Sequence, residues 1–194
     1  MPEYAPERAR FEYRQVEEVA WSGTATTCRE NFDRAMAFSA TVPIGVTQVM
    51  SSFGIPLYQG DVITKLAFQT GTTAAGTPTN WWFALYDPFG NLLSQTADQL
   101  TTAWAANTAK DLSLLTAQTI TLSGLYYAAV MVKATTVPTM TGALWAAGST
   151  NMAGGTVAGQ GVKAQTSGSG LTTTAPATIA SPALLNGLPY IVAH

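Results

Sequence analysis

The chain has one cysteine, Cys28, and one histidine, His194, in 194 residues. A single thiol excludes an internal disulfide and every metal site built on several cysteines, and it reads as an inert small residue. The histidine is the last residue, where chain ends are usually mobile, so a serine or cysteine nucleophile has no base at hand. Charge is scarce and uneven. Twelve of the twenty charged residues fall within residues 1–34, and residues 35–194 carry only four aspartates and four lysines. A net charge of −2 and a pI near 5.2 provide no basic field for nucleic acid, so neither DNA nor RNA is an expected partner. Long apolar runs are missing too: "LYYAAVMV" at 125–132 is eight residues, against the ~18 that mark a membrane span. The opening "MPEYAPERARFEYRQ" is charged where a signal peptide is apolar, which predicts synthesis in a cytosol and no membrane partner. Neither "GDVITK" (60–65) nor "GTVAGQG" (155–161) has the spacing and Lys-Ser/Thr ending of a phosphate loop, and no cofactor is expected.

What the chain does have is two kinds of text. Residues 1–34 mix both signs of charge and read as an arm or a short helical prelude. Tyr13, Val16 and Ala20 fall at helical spacing, whereas Arg8, Arg10, Glu12 and Arg14 alternate with Ala9, Phe11 and Tyr13 as in a strand, so periodicity leaves both open. "TCRE" at 27–30 fits a capping box that would open a helix through Phe32, Arg34 and Met36. From residue 35 the chain turns to short apolar, threonine-rich runs punctuated by glycine and proline, among them "AMAFSATV", "DVITKLAFQ", "NWWFALYD", "GLYYAAVMVKA" and "LPYIVA". Such runs suit a pleated, half-buried surface, and turn signals come every eight to fifteen residues. The prediction is an all-β domain over 35–194, an antiparallel β-sandwich of jelly-roll character, preceded by a charged N-terminal arm over 1–34. "YDPFGNL" is the clearest turn, with Pro88 fixing one position and Gly90 supplying a left-handed one, and it predicts a hairpin of 79–87 with 91–96. Residues 142–170 hold eight glycines without periodicity and read as a long excursion within the domain, which "LPYIVA" then closes.

Two adjacent tryptophans pose the sharpest question. Neighbouring side chains on a strand leave on opposite faces, so Trp81, Phe83 and Leu85 form one face and Trp82, Ala84 and Tyr86 the other. Full burial of an aromatic is worth on the order of 4–6 kcal/mol, so the second face also needs a cover. Three covers offer themselves: a loop of the same chain such as 142–170, a neighbouring subunit at Trp82 and Tyr86, or a sugar ring stacked on Trp82. Trp104, Trp145 and Tyr126 are further candidates for a stacking surface. The sparse charge of residues 35–194 leaves little repulsion between copies and favours a homo-oligomer.

The carboxylates beyond the arm are Asp61, Asp87, Asp98 and Asp111, each in a turn or at a strand end. Asp87 and Asp98 would make a hydrolytic pair only with carboxyl groups roughly 5–9.5 Å apart. With Asn91 they supply three of the six to eight oxygens that calcium prefers. Turn capping accounts for such aspartates more simply, and no catalytic or metal site is assigned.

The stretches "GDVITKLAF", "WWFALYDPFGNLLSQTADQ" and "LTAQTITLSGLYYAAVMVKATTVPT" resemble a β-sandwich module of virion proteins of tailed bacteriophages, those described as decoration, head-fibre or minor tail proteins. The likeness covers roughly residues 35–140 and the closing "LPYIVA"; the charged arm stands outside it. It implies a virion structural protein made in the host cytoplasm, with no catalytic residues to carry over. The leading expectation is a capsid decoration or cement protein, a trimer bound to the major capsid protein or other virion proteins. Arg8, Arg10, Phe11, Tyr13 and Arg14 would be its attachment residues. The alternative is a tail-associated module that binds a receptor or host-surface glycan through Trp82, Trp104 or Trp145.

Overall fold

The structure, a computed structural model, describes residues 27–145 and 151–194. Along the chain run β1 (Arg29–Glu30), a 3-10 turn (Arg34–Met36), β2 (Ser39–Val42), β3 (Met50–Leu57), β4 (Val62–Gln69), β5 (Asn80–Tyr86) and β6 (Leu92–Gln95). There follow β7 (Ala109–Thr119), β8 (Gly124–Lys133), β9 (Met140–Ala143), α1 (Asn151–Gly154), β10 (Ala164–Ser167), β11 (Ala183–Leu184), β12 (Leu188–Pro189) and β13 (Ile191–Ala193). A four-stranded sheet in the order β1-β13-β4-β7 faces a six-stranded sheet in the order β11-β10-β3-β8-β5-β6, and β12-β9-β2 form a small third sheet. The pairings between these strands are antiparallel, and the molecule is the β-sandwich that the turn spacing predicts.

Aromatic side chains join the two large sheets. Phe68 of β4 meets Phe83 of β5 at 4.5 Å and Phe53 of β3 at 6.5 Å between ring centroids. Trp81 stacks on Trp104 at 4.7 Å, and the Trp104 indole N–H donates to the Thr108 carbonyl at 3.0 Å, so the irregular 97–108 segment is drawn into the core. The predicted hairpin forms as β5 and β6. The Gly90 amide donates to the Asp87 carbonyl at 3.0 Å, and Gly90 sits at φ 84°, where a side chain is strained. Gly142 serves a different need: a Cβ there would collide with the Leu188 carbonyl, so only glycine lets β9 and β12 pair so closely.

Three expectations change. Residues 27–30 are extended rather than helical, because Arg29 and Glu30 pair with Ala193 and Val192 and gain sheet hydrogen bonds that a capping box cannot match. The sandwich therefore begins before residue 35, and the buried Asn31 clips on further: its Nδ2 donates to Pro189 O at 2.8 Å and its Oδ1 accepts from the Ile191 amide at 3.0 Å. The glycine-rich 142–170 stretch is also not one loop, since it contains α1 and a true strand, β10, paired with β3 from Ala164↔Phe53 to Ser167↔Met50.

Candidate functional site

The alternation along β5 extends to its neighbours in the six-stranded sheet. Trp81, Phe83 and Leu85 join Phe53, Tyr126 and Val130 in the main core. Trp82, Ala84 and Tyr86 join Met50, Tyr127 and Met131 in a second cluster on the outer face. The cover of that face is a strap of the same chain, residues 171–179, which sets Leu171, Ala175 and Ile179 down at intervals of four. The sheet supplies most side-chain donors and the strap most acceptors. The Trp82 indole N–H donates to Thr172 O at 2.7 Å, the Tyr86 hydroxyl to Pro176 O at 2.8 Å and the Gln48 amide to Leu171 O at 3.2 Å. Gln95 clamps in both senses, giving Nε2–H to Thr173 O at 3.2 Å and accepting the Ala175 N–H on Oε1 at 2.7 Å. Burial under this strap pushes the Tyr86 hydroxyl far above its ordinary pKa, so it stays a neutral donor. On the same face lie two buried hydroxyls, Ser52 Oγ and Ser167 Oγ, that have no hydrogen-bond partner among the described residues.

This geometry corrects the aromatic assignments. Trp82 and Tyr86 are fully buried beneath their own chain and present no face to a neighbouring subunit or a sugar. The cover is a loop of the same chain, but most of it lies further along than 142–170, which contributes Val162. Trp104 is likewise fully buried, stacked on Trp81 inside the core, and Tyr126 is buried with its hydroxyl donating to Leu122 O at 2.8 Å. Trp145 is partly buried against the main core. Arg8, Arg10, Phe11, Tyr13 and Arg14 lie outside the described residues.

The carboxylates are dispersed. Asp98 accepts from Asn80 Nδ2 at 2.6 Å and the Trp81 amide at 2.9 Å, at the start of β5. Asp87 follows the end of β5 and accepts from the Phe89 and Asn91 amides at 2.8 Å each. The length of that strand holds the two about 20 Å apart, too far for a glycosidase pair or a shared calcium. Among the described residues no three His, Cys, Asp or Glu side chains are placed to hold a metal ion. His194 is held in place: its backbone N–H donates to Lys65 O at 3.1 Å, and its ring lies 2.9 Å from Asp111, which also pairs with Lys65 at 3.2 Å.

The remaining concentration of charge sits where the chain enters the sandwich. The Arg29 guanidinium gives two hydrogen bonds to Asp61, at 2.8 and 2.7 Å, and lies 5.0 Å from the centre of the Tyr58 ring. Burial pushes the Asp61 carboxyl up, but the Arg29 bond, the Tyr58 amide at 2.9 Å and the Arg29 charge outweigh it, and the pKa falls below the ordinary aspartate value. Glu30 pairs with Arg34 at 2.7 Å and accepts the Tyr190 hydroxyl at 2.6 Å; burial first, then this bond to a carboxylate, raises the Tyr190 pKa far above the ordinary value. Val62 N–H reaches Thr27 Oγ1 at 3.4 Å. The sequence puts Arg29, Glu30 and Arg34 of this cluster in the arm, and Asp61 and Tyr190 in the sandwich. The signal available was the position of Asp61, a lone acid beside the Gly60 turn, but its partner is 32 residues away.

No family model, curated protein or solved structure gives a significant match to the chain. Among the described residues no helix is long and apolar enough to cross a membrane.

Proposed function

We propose that this chain is a structural protein of a bacteriophage virion, a capsid decoration or cement protein that residues 1–26 fasten to the capsid lattice. The observation that carries the reading is the root of that segment. The two-bond Arg29–Asp61 pair and the pairing of β1 with β13 tie the start of the described chain to the β3–β4 turn and to the middle of the four-stranded sheet. Any hold that residues 1–26 take on a neighbour is therefore transmitted to the whole sandwich. The resemblance of residues 35–140 to phage virion modules supports the same reading, as do the dispersed aspartates, which leave the sandwich with shape and adhesion as its assets. The partners are the major capsid protein or other virion proteins, and the assembly is a homotrimer on a threefold lattice point. No nucleic acid or membrane takes part. The alternative, a tail module that stacks glycan on tryptophan, loses two of its three platforms to burial at Trp82 and Trp104.

Deletion of residues 1–20 is expected to abolish co-sedimentation with purified particles while leaving the circular dichroism and melting temperature of the sandwich intact. Undiminished particle binding by the folded deletion variant would refute the reading.

A further inference from the structure

Strand register sets the outer face of the six-stranded sheet in rows that cross the strands. One row holds Trp82, Met131, Met50 and Ser167, and the next holds Ala84, Ala129, Ser52 and Gln165, with Tyr86, Tyr127 and Gly54 beyond it. The middle row changes character halfway. It is alanine on β5 and β8, in the cluster that Ala175 of the strap joins, and serine and glutamine on β3 and β10. These polar side chains are buried: Ser52 is 0% exposed, Gln165 4%, and Ser167 in the adjoining row 5%. Among the described residues neither serine hydroxyl has a hydrogen-bond partner, and the Gln165 amide makes no side-chain bond. A buried hydroxyl without a partner bears a desolvation cost that alanine avoids, and the same row takes alanine on β5 and β8.

The ladder geometry says what kind of partner fits. Ser52 stands opposite Gln165 and Ser167 opposite Met50, so the two serines are diagonal neighbours with Cβ atoms roughly 7 Å apart. Hydroxyls on such short side chains do not meet directly across that gap, which suits two bonds of about 2.8 Å that converge on one oxygen. The fourth corner, the Met50 sulphur, lies 3.2 Å from the Tyr86 hydroxyl. None of the three groups without a partner carries a charge to balance an ion, whereas a neutral molecule that both donates and accepts serves two hydroxyls and an amide together. We propose that Ser52, Gln165 and Ser167 enclose one internal water molecule that ties β10 to β3. Buried waters make about three hydrogen bonds, the number these side chains provide. Ser167 ends β10 and the strap begins at Leu171, so the water fastens the root of the strap together with the strand. It belongs to the sandwich alone and does not depend on the virion reading.

Oxygen-17 relaxation dispersion of the solvent, which counts water molecules held inside a protein, tests this directly. The double variant Ser52→Ala, Ser167→Ala is expected to hold one fewer than the parent chain, with an unchanged circular dichroism spectrum. Urea denaturation provides the second readout. Each single variant should lower the folded-to-unfolded ratio about fivefold, and the double variant little further, because either change alone releases the same water. Equal counts in the parent and the double variant would overturn the proposal. So would a single variant more stable than the parent, which is what removal of an unpartnered hydroxyl gives. Full additivity of the two losses would overturn it as well, by assigning the hydroxyls separate partners.

Discussion

At the scale of single residues, two side chains concentrate the argument. Trp82 is a tryptophan rather than a phenylalanine because its fully buried side chain donates the indole N–H to the Thr172 carbonyl at 2.7 Å. Trp82→Phe keeps most of the apolar contact and removes that hydrogen bond, so urea denaturation should show a loss of about 1 kcal/mol. Asp61 is the second. Its folded-state pKa lies below the ordinary value, so its contribution to stability is complete above the unfolded-state pKa of about 3.9 and fades as the pH falls through the lower, folded-state value. Asp61→Asn should therefore cost about 2 kcal/mol at neutral pH, by loss of a part-buried charged pair. The difference between parent and variant should shrink once the solution is more acidic than the ordinary aspartate pKa. A stability gap independent of pH would show that the Arg29 pair is not its source.

At the scale of elements, local chemistry was legible where the chain itself supplies the partner. The β5–β6 hairpin could be read because Asp87, Pro88 and Gly90 specify the turn without help from elsewhere. The two faces of β5 followed from alternation alone, including the need for a cover over Trp82. The cover itself was hidden. Residues 171–179 dock mainly through backbone carbonyls, which every sequence has, so their order carries little trace of the contact. Strand β10 was hidden for a related reason: of Ala164, Gln165, Thr166 and Ser167 only Thr166 has the branched or aromatic side chain that marks a strand, and pairing with β3 makes them one. The capping-box signal at 27–30 misled because Thr27 bonds to the distant Val62, and Glu30 to the distant Tyr190 and to Arg34. The strap yields a prediction of its own. Gln95→Ala removes both bonds of the amide clamp, at Thr173 and Ala175, and should raise hydrogen exchange in 171–179 while β8 keeps its protection. Equal loosening of β8 would mean that the strap and the sheet open as one unit.

At the scale of the whole molecule, the closing strand decides whether there is a sandwich at all. β13 lies between β1 and β4, so the four-stranded sheet is assembled from residues 29–30, 62–69, 109–119 and 191–193, and its middle is among the last residues of the chain. Ile191 and Ala193 are fully buried in the main core, and the His194 carbonyl accepts from the amides of both Thr64 and Lys65 at 2.7 Å. Contacts that span most of the chain form only after a large loss of chain entropy, which makes folding slow and places much of the stability in the final closure. Removal of residues 188–194 takes away the only sheet partner that β1 has among the described residues, exposes the β4 edge and uncovers Phe68. The truncated chain is expected to show no cooperative urea transition by either tryptophan fluorescence or circular dichroism, whereas the full chain should unfold in one transition seen alike by both. A truncated chain that still unfolds cooperatively would mean that the six-stranded sheet and its strap stand alone, with the four-stranded sheet as an addition to them.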